Sequence, residues 1–261
     1  MLLWCALRPR LASDGMHVAR QLSASTPLAH RRFASSETRK PLRCLIMGCP
    51  GSGKGTQTKY TTRTFPIVAL SSGDLLRRHI FENTSIGQIA ANIIKTGGLV
   101  GDDVINELMF EEIDRLKDQN WMLDGFPRTI SQAQLLDAHL QATGQPLDVV
   151  INLDVPEEVI LQRVIDRWVH GPSGRTYNLS YNPPKREGLD DVTGEPLTKR
   201  PDDNIETFKI RLEKYHELTQ PLIEYYQRQG TLKTFFGRTS DEIQPHVEKL
   251  LLEMGLSKKL A

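Results

Sequence analysis

Residues 42–47 form a short apolar run that opens directly into Gly48-Cys49-Pro50-Gly51-Ser52-Gly53-Lys54-Gly55-Thr56. No other feature restricts the fold of this chain as much. A strand that ends in such a loop, followed by a helix over 54–63, aims backbone N–H groups at one point, where the helix dipole also favours an anion. Glycines let the backbone curl around a phosphate, and Lys54 adds a positive charge within reach of terminal phosphates. The loop matches G-x-x-x-x-G-K through Lys54 but then carries Gly55 where that pattern has Ser or Thr. The dinucleotide fingerprint G-x-G-x-x-G is missed as well. Nucleoside triphosphate binding is the expectation, with the displaced hydroxyl supplied by Thr56 or replaced by carboxylates elsewhere.

Apolar runs recur at 67–70, 121–123, 149–153 and 232–236, separated by helical stretches at 102–117, 131–142 and 156–168. Such alternation predicts an α/β fold of the P-loop NTPase type, a parallel sheet of about five strands with helices on both faces. Ligands in such sheets bind beyond the carboxyl ends of the strands. After Asp202-Asp203 the spacing of Ile205, Phe208, Leu212, Tyr215 and Leu218 predicts a long helix, which Pro221 should kink or split. Residues 169–200 are rich in turn formers and poor in apolar side chains. So long an interruption suggests a lid or a small inserted domain.

With 261 residues and a net charge of +1, the chain is large enough for one domain with extras and lacks the basic excess of a general nucleic-acid binder. No apolar run is long enough to span a bilayer. Cys5, Cys44 and Cys49 form neither a paired framework nor a C-x-x-C spacing. Residues 1–40 hold six arginines and five serines against only Asp14 and Glu37, as in organelle transit peptides. The step Arg31-Arg32-Phe33-Ala34-Ser35 resembles a mitochondrial processing site cut after Phe33.

GCPGSGKGTQ resembles the loop of the adenylate kinase family, in which glycine regularly follows the lysine, so the departure at Gly55 is a family trait. Three more stretches agree in order: LSSGDLLR at 70–77, LDGFPRT at 123–129 and RWVHGPSGR at 167–175, with NPPK at 182–185. The resemblance covers roughly residues 43–252 and is to the long-lid type. Several stretches are similar to matrix members of the family that phosphorylate AMP from GTP. It implies a kinase giving GDP and ADP, with ATP as the alternative donor, Mg²⁺ carried by the nucleotide, a mitochondrial matrix location and a monomer. A P-loop GTPase would need the loop Ser/Thr and an N-K-x-D, and neither is present.

The resemblance also implies an organisation: core at 41–70, 101–165 and 204–256, a monophosphate-binding segment at 71–100, and a lid at 166–203. It assigns roles by position. Gly51, Ser52, Gly53, Lys54, Gly55 and Thr56 cradle the donor phosphates, with Arg163, Arg167, Thr176 and Tyr177 facing the donor from the lid and Thr239 near its base. Ser72, Arg77, Gly98, Leu99, Val100, Gly125, Phe126, Pro127, Arg128, Gln132, Arg200 and Arg211 hold AMP. Lys54, Arg128, Arg167, Arg200 and Arg211 carry the transfer, and Asp74 and Asp124 reach Mg²⁺ through water. Phosphoryl transfer needs positioned cations rather than a nucleophilic side chain, which is why these residue types recur. Some relatives hold structural zinc on four lid cysteines. The corresponding His170, Ser173, Asp190 and Thr193 point instead to a hydrogen-bond network. Lid closure is an expectation taken from the family.

Overall fold

The computed structural model describes residues 40–259. The proposed leader, apart from Lys40, lies outside them. In chain order the elements are β1 (Arg43–Gly48), α1 (Lys54–Thr64), β2 (Val68–Ser71), α2 (Ser72–Phe81), α3 (Ser85–Lys95) and α4 (Asp102–Arg115). There follow β3 (Trp121–Asp124), α5 (Ile130–Ala142), β4 (Val149–Asp154), α6 (Glu157–Ile165), β5 (Arg167–His170) and β6 (Arg175–Asn178). The chain closes with α7 (Ile205–Lys214), a π-helical turn (Tyr215–Thr219), α8 (Pro221–Arg228), β7 (Leu232–Phe236) and α9 (Ser240–Glu253).

Five strands form one parallel sheet in the order β2-β3-β1-β4-β7. Alternate residues of β1 serve two cores. Cys44 and Ile46 face the layer that holds Ile160, Val247 and Leu251, while Leu45 and Met47 face Met109, Leu136 and Tyr226. Cover on both faces buries the inner strands β1, β3 and β4, which explains their apolar runs, while the edge strand β7 stays largely exposed. The chain passes from β1 outward to β2, back to β3, and then across β1 to β4. The topological switch point therefore falls at β1, whose carboxyl end is the glycine loop.

One segment differs from the expectation, and a second splits as expected but through a π turn. The helix over 156–168 stops at Ile165, and Arg167–His170 pairs antiparallel with Arg175–Asn178 as a hairpin. Val164 and Trp168 stand four residues apart and so mimic a helical stripe, but Trp168 sits in the hairpin beneath the Lys199 ammonium, 4.8 Å from the ring centre. The long helix after Asp203 is interrupted at Tyr215–Thr219, and a new helix starts with Pro221 at its first position. Because the π turn shifts the register, Thr219 is buried where the stripe had placed Leu218.

Within 71–100 the chain folds as a helical hairpin, α2 and α3, reversed at Asn83 with φ 51°. Its closest approach is at Gly87, where a Cβ would stand 2.0 Å from the His79 carbonyl oxygen. Any side chain there would push the two helices apart.

Candidate active site

The carboxyl ends of β1, β2 and β3 open into a single cleft of about 1520 Å³. That exceeds the ~300–1,000 Å³ of a typical single-ligand pocket, leaving room for two nucleotides. Gly51, Gly53, Lys54, Gly55 and Thr56 line it beside the β2 and β3 ends. Gly53 caps α1 with φ 97°, and a Cβ on it would lie 2.7 Å from the Ser240 hydroxyl, so only glycine fits. A Cβ on Gly55 would meet open space, so no clash excludes a larger residue where the generic pattern has Ser or Thr. Ser52 does not line the cleft. Its side chain is buried beneath the loop, and its N–H closes a turn onto the Cys49 carbonyl at 3.0 Å.

Lys54 donates to the carbonyls of Gly48 at 2.8 Å and Cys49 at 3.0 Å. Burial pushes its ammonium down to about 8, against the opposing pull of Asp124. Asp124, at the end of β3, is itself held above the usual carboxylate range by burial, even beside Lys54. For Asp74 burial also disfavours the charge, but Arg77, its ion-pair partner, and Arg200 outweigh it and hold the carboxyl low.

Arg77, Arg128, Arg167, Arg200 and Arg211 all line this cleft. Burial lowers Arg128 to about 10, helped by Arg211 and Arg77, and lowers Arg200 to about 9, helped by Arg77 and Arg167. Side chains from five separate segments thus repel one another across one space. Three are neutralised: Asp74 pairs with Arg77, Asp203 grips Arg167 with both carboxylate oxygens, and Asp202 accepts from Arg211 at 2.6 Å. Among the described residues Arg200 has no such ion-pair partner. The pairing roles of Asp202 and Asp203 were not foreseen, because two acids ahead of a helix look like ordinary N-terminal charges.

The 125–128 turn is held from several sides. Its Phe126–Pro127 bond is cis. Arg128 Nε and Ser72 Oγ both donate to the Gly125 carbonyl, each at 2.7 Å. The Arg128 N–H donates to Gln132 Oε1 at 2.7 Å, and its carbonyl accepts from the Thr219 hydroxyl at 2.9 Å. Gly98, Leu99, Val100, Phe126, Pro127 and Gln132 complete this end of the cleft. Thr219 carried no signal in sequence, since only the π turn brings it here.

At the other end Arg163 donates to the carbonyls of Ser52 at 3.3 Å and Arg238 at 2.7 Å, with its guanidinium 5.2 Å from the Tyr181 ring centre. Thr176 and Thr239 line the cleft there, and the Thr239 hydroxyl caps α9 by accepting from the Glu242 N–H at 3.1 Å. Tyr177 lines the cleft too, with its hydroxyl engaged inside the 166–203 segment. The side chain is buried, and its hydroxyl donates to Asp190 at 2.8 Å while accepting from the Asp191 N–H.

Asp190 is the hub of the 166–203 segment. It accepts from Arg175 through both oxygens, from the Thr193 hydroxyl and from two backbone N–H groups. The Arg175 guanidinium holds its carboxyl far below the usual range. His170 joins through Ser173 at 2.7 Å and Glu195 at 2.6 Å. The four positions proposed for a hydrogen-bond network therefore do form one. Asp190→Ala strands Arg175 and Tyr177, so limited trypsin digestion at Lys185, Arg186 or Lys199 is expected to run at least about fivefold faster than in the wild type. An unchanged digestion rate would deny Asp190 this role.

The family model for adenylate kinase matches residues 46–231. A mitochondrial GTP:AMP phosphotransferase of Saccharomyces cerevisiae is 48% identical over 217 residues, spanning 81% of this chain and 93% of the relative. One of the same name from Drosophila melanogaster is 43% identical over 212 residues, spanning 81% and 96%. A glycine loop at the switch point, a ring of arginines around it and likeness sustained over nearly the whole of these relatives agree: this chain belongs to the adenylate kinase family.

Proposed function

We propose that the protein transfers the terminal phosphoryl group of GTP to AMP, giving GDP and ADP, as a monomer in the mitochondrial matrix. The observation that carries the chemistry is the convergence of Lys54 and five arginines on one cleft. Charge spread over the migrating group's oxygens is stabilised by positioned cations, and the cleft gathers such groups around one space. The choice of GTP, AMP and compartment is supported by the names of the relatives, and the basic, acid-poor leader agrees with the compartment.

The donor triphosphate lies along Gly51–Thr56, with Lys54 leaving its own loop carbonyls for the phosphates and Arg163 and Arg167 closing from the lid side. AMP sits between the 71–100 hairpin and the 125–128 turn, its phosphate met by Arg77 and Arg128. Arg200 and Arg211 bridge the two. Asp124 and Asp74 face the same space as Lys54 and suit a nucleotide-borne Mg²⁺ that keeps several waters. When bound, that ion neutralises phosphate charge. Closure of 166–203 excludes water as a competing acceptor.

Incubating the protein with GTP and AMP is expected to yield GDP and ADP in equal amounts, with higher kcat/KM for GTP than for ATP or ITP at fixed AMP. GDP with free phosphate and no ADP would identify a GTPase. A higher value with ATP would move the donor assignment.

A further inference from the structure

Gln132 lines the AMP end of the cleft and is 3% exposed. A side-chain amide has one acceptor end and one donor end, and nothing intrinsic fixes which way round they lie. Here the neighbours fix it. The Arg128 N–H can only donate, and it meets Oε1 at 2.7 Å. An ionised Asp102 can only accept, and its Oδ1 meets Nε2 at 2.6 Å. Rotating the amide by half a turn would set oxygen against carboxylate and NH₂ against N–H, breaking both bonds at once.

Asp102 is held in its turn. Its second oxygen accepts from the Thr129 hydroxyl at 3.1 Å, and the same hydroxyl accepts from the Gln132 N–H at 3.1 Å. Asp102 belongs to the first turn of α4 and Thr129 is the N-cap of α5, so two helices set the geometry. Asp102 itself is not part of the cleft wall.

After these bonds the amide keeps one N–H and one oxygen lone pair, in a fixed order. Adenine offers N6–H as donor beside N1 as acceptor. Guanine and hypoxanthine offer the reverse, an O6 acceptor beside an N1–H donor. A freely turning amide serves either edge; a locked one serves only one. We propose that Asp102, with Thr129, is a positioning residue that sets acceptor-base specificity by locking the Gln132 amide in the order that matches adenine.

This inference rests on AMP being the acceptor, and the test separates the two. With GTP as donor, kcat and KM are measured for AMP, GMP and IMP in the wild type and in Asp102→Asn, whose amide both donates and accepts. In the wild type AMP is expected to exceed GMP and IMP by more than tenfold in kcat/KM. In Asp102→Asn the Arg128 N–H alone still selects the amide order, so that preference is expected to narrow by about threefold, part of the worth of a bidentate base contact. The change should come from a higher KM for AMP, with kcat within about threefold, because the Arg128 side chain keeps its bond to Gly125. Should Asp102→Asn melt more than about 10 °C early, Asp102→Ser gives the same reading, since a hydroxyl is equally two-sided.

Unchanged selectivity in the folded variant, or an equal loss for all three acceptors, would overturn the lock. So would a wild type that takes GMP within tenfold of AMP, a result that needs no variant. A wild type that does not phosphorylate AMP at all would instead overturn the functional reading.

Discussion

Arg128→Ala lowers turnover about 10³-fold or more, while the melting temperature of the unliganded protein stays within about 3 °C of the wild type. The first half follows from the proposed role of its guanidinium on the AMP phosphate, since a positioned arginine in phosphoryl transfer is worth about that much. The second follows from how the 125–128 turn is held. Gln132 and Thr219 grip the main chain of Arg128, and neither bond needs its side chain. The side chain adds one bond, to Gly125, and a buried charge that Arg211 and Arg77 oppose. Removing it relieves repulsion in the empty cleft. Initial rates and a thermal melt decide the matter: activity within tenfold would take Arg128 out of the transfer site, and a large drop in Tm would make it a structural residue.

Lys54→Met is expected to lose about 10²–10³-fold in rate, the usual consequence of deleting one preorganised charge or donor. Its stability should move the other way. The unfolded chain holds the Lys54 proton with the ordinary lysine value of 10.5, whereas burial brings the folded value down to about 8. Stability is therefore reduced below pH 8 and recovers as pH rises from about 8 toward 10.5. After the lost bonds to Gly48 and Cys49 are subtracted, the variant gains on the order of 1–2 kcal/mol at pH 7. For a chain of this size that is a rise of roughly 3 °C or more in Tm, shrinking toward pH 10. A variant that melts lower than the wild type at pH 7, or a difference indifferent to pH, would contradict this account.

Both effects belong to residues legible without coordinates, and the reason is general. The inner strands β1, β3 and β4 are buried on both faces and appear as apolar runs, and the five expected runs fall within one residue of β1, β2, β3, β4 and β7. The glycine loop is legible because φ 97° at Gly53 and its 2.7 Å approach to Ser240 admit little else. Beyond the lid network at His170, Ser173, Asp190 and Thr193, long-range polar contacts were not legible. Trp168 continued a helical stripe on paper because its true partners, Lys199 and the 175–178 strand, lie many residues away. Tyr177 lines the cleft, but the bond of its hydroxyl to Asp190 gave no sign in the sequence. Asp102 and Thr219 gave no sign of their roles, since a helix-start acid and a helical threonine are commonplace until the fold sets them against Gln132 and Arg128.

The pairing of Arg167 with Asp203 and of Arg211 with Asp202 has a consequence for the empty enzyme. These carboxylates act as placeholders, keeping two guanidiniums from driving their neighbours apart when no phosphate is present. Under the proposed function an arriving nucleotide would exchange one anion for another instead of meeting bare charge. Much of its Coulombic attraction is already spoken for, which favours release of a product that carries fewer phosphates and keeps the cleft open for the next turnover.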